Sequence, residues 1–119
     1  SDIVTLHCPL TEDSRNLINQ DRIAQMKKGA ILINAARGPI VDSKALADAL
    51  NSGYLRGAGV DVFEMEPPLP MDHPLLHSIN TIVTPHIAFA SDESMEIRAE
   101  IVFENIQKWM NKEQVNIIL

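Results

Sequence analysis

Four short apolar runs, Ile3-Val4-Thr5-Leu6, Ala30-Ile31-Leu32-Ile33, Gly57-Ala58-Gly59-Val60 and Thr81-Ile82-Val83, constrain this chain more than any other feature. Each is too short for a helix, is rich in β-branched or small residues, and ends abruptly at polar residues or proline. Segments with helical spacing or long loops separate them. Such alternation predicts a parallel sheet with right-handed crossovers, an α/β fold. The residues that close the runs carry chemistry: His7-Cys8-Pro9 after the first, Asn34-Ala35-Ala36-Arg37-Gly38 after the second, Asp61 to Glu66 after the third, Thr84-Pro85-His86 after the fourth. In open parallel sheets the loops beyond the strand C-termini converge on a crevice where ligands bind. His7, Arg37, Asp61 with Glu66, and His86 are therefore expected on one edge of one sheet.

The intervening segments carry start and stop signals. Asn19 is placed as an N-cap with Ile18 and Ile23 as a hydrophobic staple, which predicts a helix from Gln20 to about Lys27, closed by Gly29. Asp42 caps a second helix, stapled by Val41 and Leu46, with Ala45, Leu46, Ala49 and Leu50 facing inward as far as Gly53. The strands are expected at Ile3 to Leu6, Ala30 to Ile33, Gly57 to Asp61 and Thr81 to Thr84, and the second reads as covered on both faces. Pro67, Pro68, Pro70 and Pro74 exclude a helix interior between the last two strands. From Ser91 the period changes to that of a helix: Met95, Ala99, Val102, Ile106 and Trp109 or Met110 share a face over roughly twenty residues. That face either binds a partner or, the more frequent case, packs on the chain's own sheet. The apolar tail Val115 to Leu119 calls for a partner surface.

The 119 residues, 45% of them hydrophobic, suit a small globular unit with a modest core. A net charge of −6 without a Lys/Arg cluster argues against nucleic acid, whose phosphates need a basic surface. No run approaches a membrane span, no signal peptide opens the chain, and the single Cys8 suits a reducing compartment, so a cytoplasmic location is expected. The chain begins within a strand-like run and without methionine, and it reads as a fragment or trimmed product of a longer protein.

Each candidate has a plainer alternative. Arg37 is suited to bidentate binding of a substrate carboxylate, or it forms a structural salt bridge with Asp42 or Asp61. His86 is an acid/base, or a strand-end ring satisfied by a carbonyl; Glu66 is its partner, or a solvated loop acid. A carboxylate beside an imidazole favours the charged ring and keeps a proton donor loaded near neutral pH. His73 and His77, with Asp72, have the spacing of metal ligands, but Pro74 lies between them and no third ligand has the right context, so no metal is expected. Cys8 reads as an inert strand-end cysteine rather than a reactive thiol.

Three motifs in order, Met26-Lys27-Lys28-Gly29-Ala30 leading to Ile33-Asn34-Ala35-Ala36-Arg37-Gly38, then Asp61-Val62-Phe63-Glu64-Met65-Glu66-Pro67, then Thr84-Pro85-His86-Ile87, span nearly the whole chain. On these the chain resembles the NAD(P)-dependent D-isomer-specific 2-hydroxyacid dehydrogenases, the group of phosphoglycerate, glycerate and D-lactate dehydrogenases. The resemblance implies the second half of a doubly wound, Rossmann-like sheet over residues 1–90, and over 91–119 a long crossover helix and tail returning to the substrate domain. It implies that Arg37 holds the substrate carboxylate, His86 is the acid/base and Glu66 pairs with it. His7, Cys8, Pro9, Ala35, Ala36, Arg37, Asp61 and His86 then border the cofactor, NAD or NADP with NAD favoured, and Asp61 faces the nicotinamide carboxamide.

Glu66 speaks for 2-hydroxy acids, because the similar formate dehydrogenases place glutamine there; phosphite dehydrogenases keep the whole set. Ala88-Phe89-Ala90 departs from the small, often glycine-containing stretch common after the histidine, which leaves substrate choice open. No Gly-x-Gly-x-x-Gly occurs in the chain. In the family that loop lies upstream of where this chain starts, and relatives are mostly homodimers. The isolated chain is expected to have little activity. A different reading is an NAD(H)-sensing protein similar to the C-terminal-binding-protein corepressors, which keep the same three residues.

Overall fold

The computed structural model describes residues 1–65 and 68–117. The chain forms two compact units, residues 1–87 and 88–119. The first holds a four-stranded, wholly parallel sheet with strands in sequential order, β1 (Ile3–Leu6), β2 (Ile31–Asn34), β3 (Gly57–Val60) and β4 (Thr81–Val83). Helix α1 (Gln20–Ala24) joins β1 to β2, and α2 (Ser43–Asn51) joins β2 to β3. The expected α/β class is the observed one.

The caps act as the residue types dictate. Asn19 accepts a hydrogen bond from the Arg22 amide at 3.0 Å, and Asp42 accepts from the Ala45 amide at 3.0 Å. Helix α1 ends three residues before the expected Lys27, because the Gln25 and Met26 amides fold back onto the Arg22 and Ile23 carbonyls as tight turns. Gly29 then takes a φ of 80°, and Gly53, closing α2, a φ of 71°, conformations that cost glycine little. Pro74 opens a 3-10 turn, Pro74–Leu76, at a first position where no amide hydrogen is needed.

Ile23, Leu32, Leu46, Leu50, Ala58 and Val60 belong to one buried cluster on one face of the sheet, each large aliphatic side chain contributing about 1.5–3 kcal/mol by leaving water. The other face is open, which corrects the expectation that β2 is covered on both sides. Leu32 is 0% exposed, whereas its neighbour Ile33 is 38% exposed. Thr5, Ile33, Gly59 and Ile82 align across the sheet on that open face, and Ile82 is 72% exposed. The reason is topological: when strands follow in sequential order, crossovers of one hand all fall on the same side.

In the second unit, α3 (Asp92–Met110) starts at Ser91, whose hydroxyl accepts from the Ser94 amide at 3.2 Å, with Asp92 and Glu93 in its first turn where the helix dipole favours acids. None of the residues of the helix is buried. The apolar character is real, but Ile97, Ile101 and Phe103 extend it around the cylinder rather than confining it to one seam, and all three are exposed. Of the tail, Val115 and Ile117 are exposed, and Ile118 and Leu119 lie outside the described residues.

Candidate active site

At the C-terminal ends of β1 and β2 the chain turns sharply, and local side chains fix both turns. Ser14 donates to the Pro9 carbonyl at 2.8 Å and holds the loop after β1, while His7 Nε2 and Thr5 Oγ1 share a hydrogen bond of 2.9 Å. Asn34, fully buried at the end of β2, accepts from the Ala36 amide and donates to the Arg37 carbonyl, each at 3.1 Å. Such an asparagine replaces backbone partners in a turn and presents the residue that follows. An open cleft of about 550 Å³ lies between the two turns, lined by His7, Cys8, Pro9, Leu10, Ala35, Ala36 and Arg37. Arg37 is exposed, its Nη1 donating to the Ala36 carbonyl at 2.7 Å. Among the described residues it forms no ion pair, so neither Asp42 nor Asp61 takes the guanidinium as the structural alternative required.

The β3 exit is pressed onto this turn. A β-carbon at Gly38 would lie 1.8 Å from the Phe63 carbonyl oxygen and 2.5 Å from the Glu64 nitrogen, so only glycine admits the two backbones this close. Asp61, buried, ties three strand ends together. Its amide donates to the Asn34 carbonyl at 2.9 Å, its carbonyl accepts from the His86 amide at 2.8 Å, and its Oδ1 accepts from the Thr84 hydroxyl at 2.5 Å and the Ile87 amide at 2.8 Å. His86, half-buried, has a φ of 58°. A side-chain-bearing residue held in the left-handed region costs about 1–3 kcal/mol and persists where neighbours over-determine it. Here the amides of His86 and Ile87 are both bound to Asp61.

The remaining histidines are engaged elsewhere. His73, buried, accepts the Leu75 amide on Nδ1 at 3.3 Å, which leaves Nε2 to face Glu64 Oε2 at 3.2 Å, and its ring meets Phe63 edge-on with centroids 5.3 Å apart. Burial alone pushes the Glu64 carboxyl up, but hydrogen bonds from Ser43, its own backbone and His73 outweigh that and hold it below the usual carboxylate value. His77 Nε2 donates to the Met71 carbonyl at 2.6 Å. No group of three potential metal ligands occurs among the described residues. Glu66 lies outside the described residues.

Of the residues singled out by sequence, six of the cofactor-bordering set line one cleft, and Asp61 and His86 are hydrogen-bonded to each other. Asn34 links the two groups. Sequence reasoning missed the parts played by Asn34, Thr84 and the Glu64–His73 pair. Only Asn34 had a local signal, an Asx-type residue directly after an apolar strand.

Residues 1–88 match the family described as D-isomer specific 2-hydroxyacid dehydrogenase, NAD binding domain. The chain is 50% identical over 106 residues to a glyoxylate reductase of Thermofilum pendens, covering 89% of this chain and 31% of that protein. It is 44% identical over 121 aligned positions to a glycerate dehydrogenase of Methylorubrum extorquens, covering 99% of this chain and 38% of the relative. A crystal structure of D-lactate dehydrogenase with NAD+ from Lactobacillus jensenii superposes with a TM-score of 0.86 at 34% identity, covering 100% of this chain and 39% of that one. The chain thus spans only about a third of the length of the relatives it matches. With a parallel sheet, three motifs in order and this match, the chain belongs to the D-isomer specific 2-hydroxyacid dehydrogenase family, in its NAD-binding domain.

Proposed function

We propose that the protein carrying this chain is an NAD(P)-dependent oxidoreductase that moves a hydride between the cofactor and C2 of a D-2-hydroxy acid or its 2-keto acid, with NAD the favoured cofactor. Residues 1–90 form the second half of its dinucleotide-binding domain, and 91–119 the helix and tail that return to the substrate domain. It acts in the cytoplasm as a homodimer. The single observation that carries the reading is that Arg37 and the buried Asp61 with the left-handed His86 stand at the ends of adjacent parallel strands. The residues present suit the cofactor. A cleft of about 550 Å³ beyond β1 and β2, lined by His7, Cys8, Pro9, Leu10, Ala35, Ala36 and Arg37, has the size and place of a nucleotide crevice in such sheets.

A bound nicotinamide dinucleotide supplies or accepts the hydride. Everything else falls to the chain. Arg37, without an ion-pair partner among the described residues, offers its guanidinium fork to the substrate carboxylate and so fixes which carbon faces the cofactor. His86 gives a proton to the carbonyl oxygen of the keto acid in reduction and takes it from the hydroxyl in oxidation, so charge does not accumulate on oxygen. Glu66 is assigned the role of keeping that imidazole charged. Asp61, already the acceptor for the His86 turn, faces the carboxamide of the nicotinamide. His7, Cys8, Pro9, Ala35 and Ala36 border the cofactor.

The test is a steady-state NADH and NADPH oxidation assay on the full-length protein that carries this chain, with glyoxylate, hydroxypyruvate and pyruvate. Turnover of at least one of these, faster with NADH, is expected. Tight NADH binding with no turnover on any 2-keto acid overturns the enzymatic reading in favour of a nucleotide-sensing role.

A further inference from the structure

We propose that Thr84 is a positioning residue: through Asp61 it holds the His86 backbone in its left-handed conformation and so sets where the imidazole points. The inference rests on the reading of His86 as the acid/base. Two successive amides fix the conformation, His86 N–H to the Asp61 carbonyl at 2.8 Å and Ile87 N–H to Asp61 Oδ1 at 2.8 Å. The first needs only the backbone. The second requires the carboxylate to be turned toward β4, and the Thr84 hydroxyl binds the same oxygen at 2.5 Å. Thr84 is itself fixed, since its amide donates to the Val60 carbonyl at 3.0 Å, and a β-branched side chain has few χ1 choices. The hydroxyl therefore reads the sheet geometry and passes it to the carboxylate, which passes it to the peptide after His86. Pro85 between them restricts the intervening backbone.

The substitutions that separate this from packing are Thr84→Val, which keeps the shape and removes the hydroxyl, and Thr84→Ser, which keeps the hydroxyl and removes a methyl. In the full-length protein that carries this chain Thr84→Val is expected to lower kcat by about tenfold or more, as a misdirected catalytic group does, with KM for keto acid within about threefold. Thr84→Ser should keep kcat within about threefold of wild type. Independently of activity, hydrogen exchange at the Ile87 amide should speed up in Thr84→Val and not in Thr84→Ser. Unchanged kcat in Thr84→Val, equal losses in both variants, or unchanged exchange at Ile87 overturns the inference. His86→Ala belongs in the same series: if it abolishes turnover while Thr84→Val is silent, the positioning role fails and the acid/base reading stands. If His86→Ala leaves turnover intact while Ile87 exchange still responds to Thr84→Val, the acid/base reading is what fails, and the link to catalysis falls with it.

Discussion

Leu32 and Ile33 are neighbours of nearly equal size in one strand, yet the first touches no solvent and the second is 38% exposed. The side chains of a strand alternate between faces, and the sequential strand order puts both helical crossovers against the face that Leu32 looks toward. Stability in residues 1–87 is thus gathered on one face of the sheet. The open face, with Ile33 and Ile82, contributes little burial. The proposed chemistry gathers at a third place, the strand C-terminal edge, where backbone constraint takes over from apolar packing: Gly38 against Phe63, and His86 and Ile87 bound to Asp61.

The contrast can be tested by substitution on each side of the sheet. Leu46→Ala, on the covered face and 0% exposed, should lower stability by about 2–5 kcal/mol in denaturant unfolding, through lost transfer energy and the cavity left behind. At the edge, Gly38→Ala places a methyl group inside the Phe63 carbonyl and should cost about 3 kcal/mol or more, the upper end of what overpacking does. If it were harmless, the close approach would not be what joins the two turns. Removing a cap on the covered side, Asp42→Ala, should cost about 1 kcal/mol. Ile82→Ala on the open face should fall within about 0.5 kcal/mol, and a loss as large as that of Leu46→Ala would erase the difference between the faces.

The smallest effect concerns pH. Glu64 has a folded-state pKa below its unfolded value, so the stability it contributes is fully present above the ordinary carboxylate range and is lost as pH falls through the depressed folded value. Glu64→Gln keeps an acceptor for His73 and removes the titration. The acid limb of the unfolding curve should therefore become shallower in that variant, with the lost stability seen at neutral pH and the two proteins converging at low pH.

Much of this architecture is legible in the residues because it is set locally. The strand runs are bounded by proline, glycine and asparagine, and Asn19, Asp42 and Ser91 cap the helices they precede. Placing His7, Arg37, Asp61 and His86 on one edge needed only the rule that parallel strands all point the same way. What escaped is non-local. Nothing near Gly38 announces that Phe63 will sit on it, and nothing near His86 announces a φ of 58°, because both depend on a strand distant in sequence. The double coverage expected of β2 failed for the same reason: an apolar run records what a strand can bury, while strand order decides what covers it. The end of α1 was misplaced because Lys27 and Lys28 suit a helix terminus and a tight turn equally well.

The most direct test of the central claim, that the strand C-terminal edge is a dehydrogenase active site with His86 as its acid/base, is the turnover of His86→Ala in the full-length protein that carries this chain. It is to be measured on a 2-keto acid that the wild type reduces, with NADH binding followed by fluorescence. The account predicts a fall in kcat of about 10²–10⁴-fold, the usual contribution of a positioned proton donor, with NADH still bound. Unchanged turnover would contradict it.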